Sequence, residues 1–396
     1  MSLKDVFCQD RAIGLLQRGL AADRAAHAYL FAGPDGVGKY KTACEWARLL
    51  LCQNPICSTP APGGGPSRGR LGYIEGSQHG AEGPFADSCG SCQSCTLMDA
   101  GSHPDYAHVY KELLQYTEGN KDKKTPVELA IDVIREFLIE QVAGRPTLSK
   151  RKVYIVSEAE KLNANSQNAL LKVLEEPPSY CTIILLCTRL EELLPTIRSR
   201  CQLIRFGPVE EGRIIEQLKA EGLGSTEATF FARLAQGSLG LACQWSRLER
   251  DGAGLFASKR QLVVSLTDLN LADVPAIVER IQEAIKELAA AWGSLDKATS
   301  KSDLTRRAQK TMIRILIGAL YDVTIHHVAP QRALVNADQG AQIAALARRL
   351  GPEQAIEGVR EGCEMLRWLE DNTNERLILE RLLFRLSRAA IMAGPC

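Results

Sequence analysis

The chain has 396 residues, which is long enough for two or three domains that each bury a core of their own. A composition of 45% hydrophobic and 24% charged residues excludes a disordered or a fibrous protein. The 48 basic residues against 47 acidic ones leave a formal net charge of +1, so any contact with DNA has to be local or supplied by partner chains.

The first structured segment predicts a strand, a glycine-rich loop and a helix over residues 27–51. The run HAYLFA at 27–32 is short and apolar, as in a buried strand, and KTACEWARLLL at 41–51 has the apolar spacing of a helix. The loop between them follows the pattern G-x-x-x-x-G-K-[ST] of phosphate-binding loops. The residues that fit this pattern are Gly33, Gly36, Gly38 and Lys39.

Tyr40 departs from the pattern at the position that normally carries serine or threonine. In such a loop, backbone N–H groups point at the phosphate oxygens, the lysine neutralises the β and γ phosphates, and the following hydroxyl holds Mg²⁺. The hydroxyl of Tyr40 lies at the far end of a ring, well away from the metal position. We therefore expect a site that can hold ATP or ADP without hydrolysing it efficiently.

A cysteine-rich segment follows the helix. Residues 55–88 are rich in glycine, proline and serine and predict a flexible insertion. The motif CGSCQSC then places three cysteines at two-residue intervals, and another cysteine closes the helix. Four thiolates suit a tetrahedral, structural Zn²⁺. The predicted ligands, in a zinc module over about 52–105, are Cys52, Cys89, Cys92 and Cys95.

The metal site leaves alternatives open. Cys57 and His79 compete with Cys52 for the fourth ligand position. An iron–sulfur cluster of the ferredoxin type is disfavoured, because the sequence continues TLMDAGSHP without the fourth cysteine of that pattern. Four further cysteines in apolar contexts are interpreted as core thiols, namely Cys44, Cys181, Cys187 and Cys243.

A second alternation of helices and strands begins near residue 127. The predicted elements are a helix at 126–142, a strand at 152–160, a helix at 163–176 and a strand at 181–188. Because the strands are nearly continuous in Ile, Leu and Val, they favour a parallel sheet that is covered on both faces. The charged segment 110–126 is interpreted as a connector. Its KDKK run at 121–124 reads as a solvated loop, with a DNA-backbone contact as the alternative.

The strand at 152–160 would carry the second group that organises a metal ion. In an active ATPase of this type the strand ends in Asp-Glu, where the Asp orients Mg²⁺ and the Glu polarises the attacking water. Here the first position is Ser157, and Glu158 remains. Beyond RCQLIRFGPV the chain predicts helices, first a small unit with glycine turns and then a longer all-helical region.

Four segments, in this order, closely resemble the bacterial clamp-loader ATPase family, which includes the delta-prime and gamma/tau subunits of DNA polymerase III. They are HAYLFAGPDGVGKYKTA, CGSCQSCTLMDAGSHPDYAHV, NSQNALLKVLEEPP and LLPTIRSRCQLIRF. The resemblance is dense over about 1–210 and weak towards the C-terminus. It implies an α/β fold of the AAA+ P-loop type at 1–207, a small helical lid domain at 208–248 and an all-α collar domain for oligomerisation at 249–396.

The resemblance also implies partners and residue roles. Members of the family form a hetero-pentameric ring of gamma/tau, delta and delta-prime subunits that loads the sliding clamp on primed DNA. Ser199, Arg200 and Cys201 match the family's Ser-Arg-Cys motif, whose arginine reaches the γ-phosphate held by a neighbouring subunit. Thr188 matches the sensor at the end of the following strand. From the residues alone, Arg200 would be a surface arginine and Thr188 a local hydrogen-bonding group.

Three departures favour the delta-prime branch of the family. Tyr40 and Ser157 replace metal-side groups, and Gly240 replaces the arginine that usually senses nucleotide after GSL. The three groups that are replaced act on a subunit's own nucleotide in the family. Arg200, which is present, matches a group that acts on a neighbour's nucleotide. The expected function is a largely non-hydrolysing scaffold, with no nucleotidyl transfer by this chain itself. An active motor subunit with Glu158 as base is the main alternative, and an unrelated phosphate-loop enzyme is a third.

Two further expectations concern location and acid–base chemistry. No run of 18 apolar residues and no signal-peptide pattern occur, so we expect a cytoplasmic protein without a membrane partner. Glu175 and Glu176 are adjacent, but neighbours on a helix point about 100° apart and cannot face one substrate as a pair.

Overall fold

A computed structural model describes residues 2–58, 85–117, 128–296, 299–369 and 374–392. The chain forms two compact units, Met1–Val209 and Glu210–Cys396. The insertion predicted at 55–88 lies largely outside the described residues, as do the KDKK run at 121–124 and His79.

A five-stranded parallel sheet forms the centre of the first unit, with the strand order β4-β5-β6-β1-β7. A separate antiparallel pair consists of β2 and β3. The strands are β1 (Ala28–Ala32), β2 (Ile56–Ser58), β3 (Phe85–Asp87), β4 (Tyr106–Val109), β5 (Lys152–Val156), β6 (Cys181–Cys187) and β7 (Gln202–Arg205).

Strand β1 divides its side chains between two cores because successive residues of a strand point to opposite faces. Tyr29 and Phe31 are buried in the core on one face, and Leu30 is buried in the core on the other. The sheet is therefore covered on both sides, as its nearly continuous apolar strands predict. The α/β class with a parallel sheet is confirmed.

Seven helices flank the strands in the described part of this unit. They are α1 (Asp10–Ala21), α2 (Lys39–Leu51), α3 (Gln93–Asp99), α4 (Ile131–Ile134), α5 (Glu140–Val142), α6 (Ala164–Glu175) and α7 (Pro195–Arg200). A π-helical segment, Arg135–Ile139, joins α4 to α5. The helix predicted from 126 therefore begins at Ile131 in the described residues.

The structure also contains elements that the sequence did not predict. Strand β4 lies beside β5, and its Val109 pairs with Val156. The ends of the predicted flexible insertion form the β2–β3 pair, in which Cys57 lies opposite Ala86. The start of the charged connector is a 3₁₀ helix at Lys111–Tyr116. These short elements carry too few alternating residues for their sequence periodicity to identify them.

The described part of the second unit is helical. Its helices are α8 (Glu211–Ala220), α9 (Ser225–Leu234), α10 (Leu239–Arg250), α11 (Leu255–Thr267), α12 (Val274–Leu295), α13 (Lys301–Val328), α14 (Gly340–Arg349), α15 (Pro352–Trp368) and α16 (Glu375–Met392). The long helix α13 packs against α12, α14 and α15. The finer division into lid and collar domains stays a prediction.

A buried lysine joins three parts of the second unit. Lys259 of α11 is fully buried, and its ammonium group pairs with Asp338. The same group lies 4.6 Å from the ring centre of Phe230 and 4.7 Å from that of Phe256. The carboxylate and the two ring faces together compensate for the loss of water around the charge.

Among the described residues, no helix is long and apolar enough to cross a membrane.

Asp105 fixes the segment that leads into β5. Its side chain is 2% exposed and accepts hydrogen bonds from the backbone N–H groups of Thr147 (2.6 Å), Leu148 (2.8 Å) and Ser149 (2.7 Å). Burial would raise the pKa of Asp105, but these three donors together lower it below its ordinary value. The carboxylate is therefore charged in the folded protein, and it is the hydrogen-bond acceptor for these three backbone N–H groups.

We expect Asp105→Ala to lower the free energy of unfolding of the first unit by about 3 kcal/mol, because three backbone N–H groups lose a buried, charged acceptor. Urea unfolding of the full chain, followed by a probe in the first unit, measures this loss. Glu176→Ala removes an exposed carboxylate from the same unit and should change the value by less than about 0.5 kcal/mol. Equal effects of the two substitutions would contradict the assignment.

The effect of Asp105→Ala on the free energy of unfolding should depend on pH. Because the folded-state pKa of Asp105 is depressed, its contribution to stability is fully present above the unfolded-state value and is lost as the pH falls through the folded-state value. The difference in stability between the wild type and Asp105→Ala should therefore shrink below about pH 4. A difference that grows on acidification would show that the carboxylate is not held in its charged form.

Candidate functional site

The phosphate-type loop lies at the carboxyl end of β1 and leads directly into α2. Gly38 precedes the helix with φ +103°, a conformation that glycine adopts without strain. At Gly33, an added Cβ would lie 2.4 Å from the carbonyl oxygen of Phe206, so a side chain at this position does not fit. The structure therefore uses both glycines for backbone geometry, and Gly36 also has a positive φ of 70°.

Lys39 begins α2 and is directed back onto the loop. Its Nζ donates to the carbonyl oxygens of Gly33 (2.7 Å) and Pro34 (2.5 Å). The residue is 8% exposed, and burial lowers its pKa. In this arrangement the ammonium group is satisfied by neutral oxygens of the loop itself, and a phosphate would have to compete with them.

Tyr40 and Ser157, the two departures from the metal-binding pattern, are connected through His108 of β4. The rings of Tyr40 and His108 lie 4.8 Å apart between centres, and the Tyr40 hydroxyl lies 3.4 Å from Nδ1 of His108. The other ring nitrogen, Nε2, is 2.8 Å from Oγ of Ser157. Burial lowers the pKa of His108 to about 4, so the imidazole is neutral at neutral pH.

The acidic and polar groups at the same edge of the sheet also have partners within the chain. Glu158 has a positive φ of 52°, and its carboxylate pairs with Lys161 and, at 3.7 Å, with Lys111. Thr188, at the end of β6, donates its hydroxyl to Glu160. The structure thus brings the loop, Glu158 and Thr188 to one edge, where each of these side chains is engaged by neighbouring protein groups.

The four predicted metal ligands form one cluster. Their sulfurs all lie within 4.8 Å of one another. Measured from Sγ of Cys52, the separations are 3.6 Å to Cys89, 3.7 Å to Cys95 and 3.9 Å to Cys92, and Cys89 lies 4.0 Å from Cys95. Zn–S bonds of about 2.3 Å in a tetrahedron require sulfurs about 3.8 Å apart, so the geometry fits a tetrahedral Zn²⁺.

Backbone groups also donate to the sulfurs. The N–H of Cys92 approaches Sγ of Cys89 at 3.3 Å, that of Cys89 approaches Cys52 at 3.4 Å, and that of Cys95 approaches Cys92 at 3.5 Å. Burial alone would raise the pKa of Cys89, but donors that include the N–H groups of Ser91 and Cys92 lower it to about 6. N–H donors of this kind stabilise thiolates and orient metal ligands.

A buried arginine lies beside this cluster. Arg48, one turn before the end of α2, forms a hydrogen bond with the thiol of Cys95 and pairs with Asp99 at 2.7 Å. Its side chain is 7% exposed. A cation that is hydrogen-bonded to one of the sulfurs offsets the negative charge of thiolates, so the cluster has a charge environment that suits a metal held by four sulfurs.

The structure separates two of the three candidates for the fourth ligand position. Cys57 lies buried in β2 and is not a member of the sulfur cluster, whereas Cys52 is. His79 lies outside the described residues. Among the thiols predicted to be in the core, Cys181 and Cys187 are buried, and Cys44 and Cys243 are partly exposed.

The Ser-Arg-Cys segment lies at the end of α7. Arg200 pairs with Glu175 of α6 at 2.8 Å and donates to the carbonyl oxygen of Thr196, yet 36% of its side chain is exposed. Ser199 donates to the same carbonyl. Cys201 follows the helix, and burial raises its pKa to about 12, so it is an unreactive thiol. Arg200 is thus accessible from solvent while it is held by one carboxylate.

Sequence reasoning missed His108 and the partner role of Glu175. His108 lies in an unpredicted strand, and its place beside Ser157 follows from the pairing of β4 with β5. Glu175 was considered for catalysis and dismissed, but its contact with Arg200 requires the packing of α6 against α7. Neither contact has a signature in the local sequence.

Comparison with known proteins gives matches along most of the chain. The family model described as "DNA polymerase III, delta subunit" matches residues 8–63 and 77–210. The model described as "DNA polymerase III, delta subunit, C terminal" matches residues 279–388.

Individual relatives include subunits with two different names. DNA polymerase III subunit delta' of Pseudomonas aeruginosa is 36% identical over 44% of this chain and 42% of its own length. The delta' subunit of Escherichia coli is 29% identical over 92% of this chain and 90% of its own length. The gamma/tau subunit of Mycobacterium tuberculosis is 28% identical over 97% of this chain and 61% of its own length. Several matches thus span less than two thirds of the relative.

Proposed function

The chain belongs to the DNA polymerase III delta subunit family, and on this basis we propose that it is the delta-prime-type subunit of a clamp loader. In this role it is a largely non-hydrolysing scaffold in a ring with gamma/tau and delta subunits. Through the assembled ring it takes part in loading the sliding clamp on primed DNA. Its own contribution to ATP hydrolysis is Arg200, supplied to the nucleotide of a neighbouring subunit.

One observation carries the proposal, namely the contrast between the chain's own phosphate loop and Arg200. Tyr40 and Ser157 replace metal-side groups and contact His108 instead, and Lys39 binds loop carbonyls. Arg200, in contrast, keeps more than a third of its side chain exposed at the end of a helix. An arginine finger supplied in trans requires that accessibility, and Ser199 and Cys201 flank it in the family motif.

The alternative is an active motor subunit with Glu158 as the catalytic base. A base must have a carboxylate that can reach an attacking water. Glu158 is paired with Lys161 and Lys111, which disfavours this role. The loop formed by Gly33, Gly36 and Gly38, with Thr188 nearby in the sensor position, is compatible with holding ATP or ADP, which is a separate matter from hydrolysis.

The cysteine cluster is proposed to hold a structural Zn²⁺ through Cys52, Cys89, Cys92 and Cys95. When bound, the ion would supply a cross-link between the end of α2 and the segment that contains α3, with no open position for a substrate. The sulfur separations and the N–H donors support this assignment.

For the arginine finger, we expect Arg200→Ala to slow ATP hydrolysis by the reconstituted loader with clamp and primed DNA. At the site that receives the arginine, turnover should fall on the order of 10³-fold or more. Single-turnover hydrolysis in the assembled complex measures the effect. Arg205→Ala, which removes an exposed arginine five residues further on, should leave turnover unchanged. If both substitutions slow the complex equally, the effect is one of general charge and Arg200 is not the finger.

For the chain's own loop, we expect the purified chain alone to hydrolyse ATP no faster than its Lys39→Ala variant. The physical reason is the replacement of the Mg²⁺-holding hydroxyl and carboxylate by Tyr40 and Ser157. Phosphate release from the isolated chain measures this rate. Appreciable turnover that Lys39→Ala abolishes would establish the motor alternative in place of the scaffold.

For the metal, we expect about one zinc per chain by elemental analysis. Cys52→Ser should lose most of it, because three sulfurs bind the ion much more weakly than four. Cys57→Ser removes a buried thiol five residues away and should keep the zinc. Retention of zinc by Cys52→Ser would remove Cys52 from the ligand set, and absence of metal from the wild-type protein would overturn the zinc site.

A further inference from the structure

The three side chains at the metal end of the phosphate loop form a connected group that the proposed function does not require. A phosphate-loop protein holds Mg²⁺ between the hydroxyl that follows the loop lysine and the carboxylate at the end of a neighbouring strand. In this chain those two positions belong to Tyr40 and Ser157. The imidazole of His108 bridges them, through contacts of 3.4 Å and 2.8 Å.

We propose that His108, in contact with both Tyr40 and Ser157, fills the space between the two residue positions that would hold Mg²⁺ and is the residue that excludes the metal–nucleotide complex from this loop. The proposal deepens the non-hydrolysing role described above and rests on it. It assigns to His108 the determination of ligand specificity, so any nucleotide polyphosphate that the loop holds is bound without a divalent cation.

The position of His108 is fixed by the sheet rather than by the loop. It lies on β4 in register with Ile155 of β5, and Ser157 donates its backbone N–H to the carbonyl oxygen of Val109 at 2.9 Å. The ring of Tyr110 also lies close to the imidazole, with its centre 4.9 Å away. The imidazole is therefore in contact with two aromatic rings and with the hydroxyl of Ser157.

The chemistry of the group also disfavours a divalent cation. Mg²⁺ prefers charged or carbonyl oxygen ligands in a strict octahedral arrangement. The bridge offers a neutral imidazole, a phenol and a hydroxyl, and its nitrogens are already directed at the two oxygens. The neighbouring carboxylate of Glu158 is paired with two lysines, Lys111 and Lys161. Because the pairing of β4 with β5 sets the backbone position of His108, restoring the two missing metal ligands at positions 40 and 157 would leave the imidazole between them.

The experiment compares the affinity of the full chain for a fluorescent ADP in Mg²⁺ and in EDTA. The wild type should bind with equal affinity in the two buffers, and the absence of binding in both would overturn the assignment of ligand specificity to His108. The variant Tyr40→Thr/Ser157→Asp restores both metal ligands and keeps His108. Its affinity for ADP should rise less than about threefold when Mg²⁺ replaces EDTA. Adding His108→Ala should raise the gain to tenfold or more. The matched control combines the double variant with His27→Ala, at an exposed histidine just before β1, in place of His108→Ala. This control should show the same small effect of Mg²⁺ as the double variant.

Each outcome has a defined meaning. A tenfold gain from Mg²⁺ in the wild type, equal gains with and without His108, or no gain in the triple variant would each overturn the proposal. The wild-type measurement requires no substitution, so the proposal stays testable if the triple variant fails to fold. Failure of the proposed function has a different signature, because it requires ATP turnover by the wild-type chain. Mg²⁺-strengthened binding without turnover would reject the role of His108 alone.

Discussion

Helix α2 is the element on which both candidate sites depend. It begins directly after Gly38, so its first turn carries Lys39 and Tyr40, and Cys52 caps its other end. Between these ends Trp46 is fully buried against the sheet, and its ring meets that of Tyr29 edge-on at 6.0 Å. Because the helix packs on the sheet, mainly against β5 and β6, the phosphate loop and the first cysteine are held in one rigid frame. A shift at one end would have to be accommodated in a close-packed core.

The charges at the two ends of α2 are arranged in opposite ways. At the C-terminal end, Arg48 and several backbone N–H groups surround the sulfurs, which favours thiolates and therefore a bound cation. At the N-terminal end, Lys39 is buried against neutral carbonyl oxygens, and Glu158 is neutralised by two lysines. A divalent cation there would meet the positive charge of Lys39 and of the two lysines that pair with Glu158. The charges around the sulfurs thus favour a cation, and those around Lys39 disfavour one.

The sequence predicts the long elements and the cluster well, because their signals are local. Continuous apolar runs identify β1, β5 and β6, and the spacing of CGSCQSC identifies three of the four clustered cysteines before any fold is known. What it could not predict depends on contacts between distant segments. Strand β4 is short and only partly buried, and His108 reaches Ser157 across 49 positions of sequence. The partner of Arg200 likewise depends on how α6 packs against α7. Such contacts follow from tertiary packing, which a pattern of residue types does not encode.

The persistence of a phosphate-type loop without its metal ligands has a structural explanation. Gly33 packs against the backbone of Phe206 too closely for any side chain, and its N–H donates to the carbonyl oxygen of Cys187 at the end of β6. Gln9 donates its side-chain amide to the carbonyl oxygens of Val37 in the loop and of Gly207 beyond β7. The loop therefore joins strands β1, β6 and β7 through bonds that involve no phosphate. Substitution of its glycines would damage the sheet edge itself, while Tyr40 and Ser157 lie outside these contacts. Tyr40 and Ser157, in place of residues that could bind a metal, are thus compatible with a fold that requires the loop's shape.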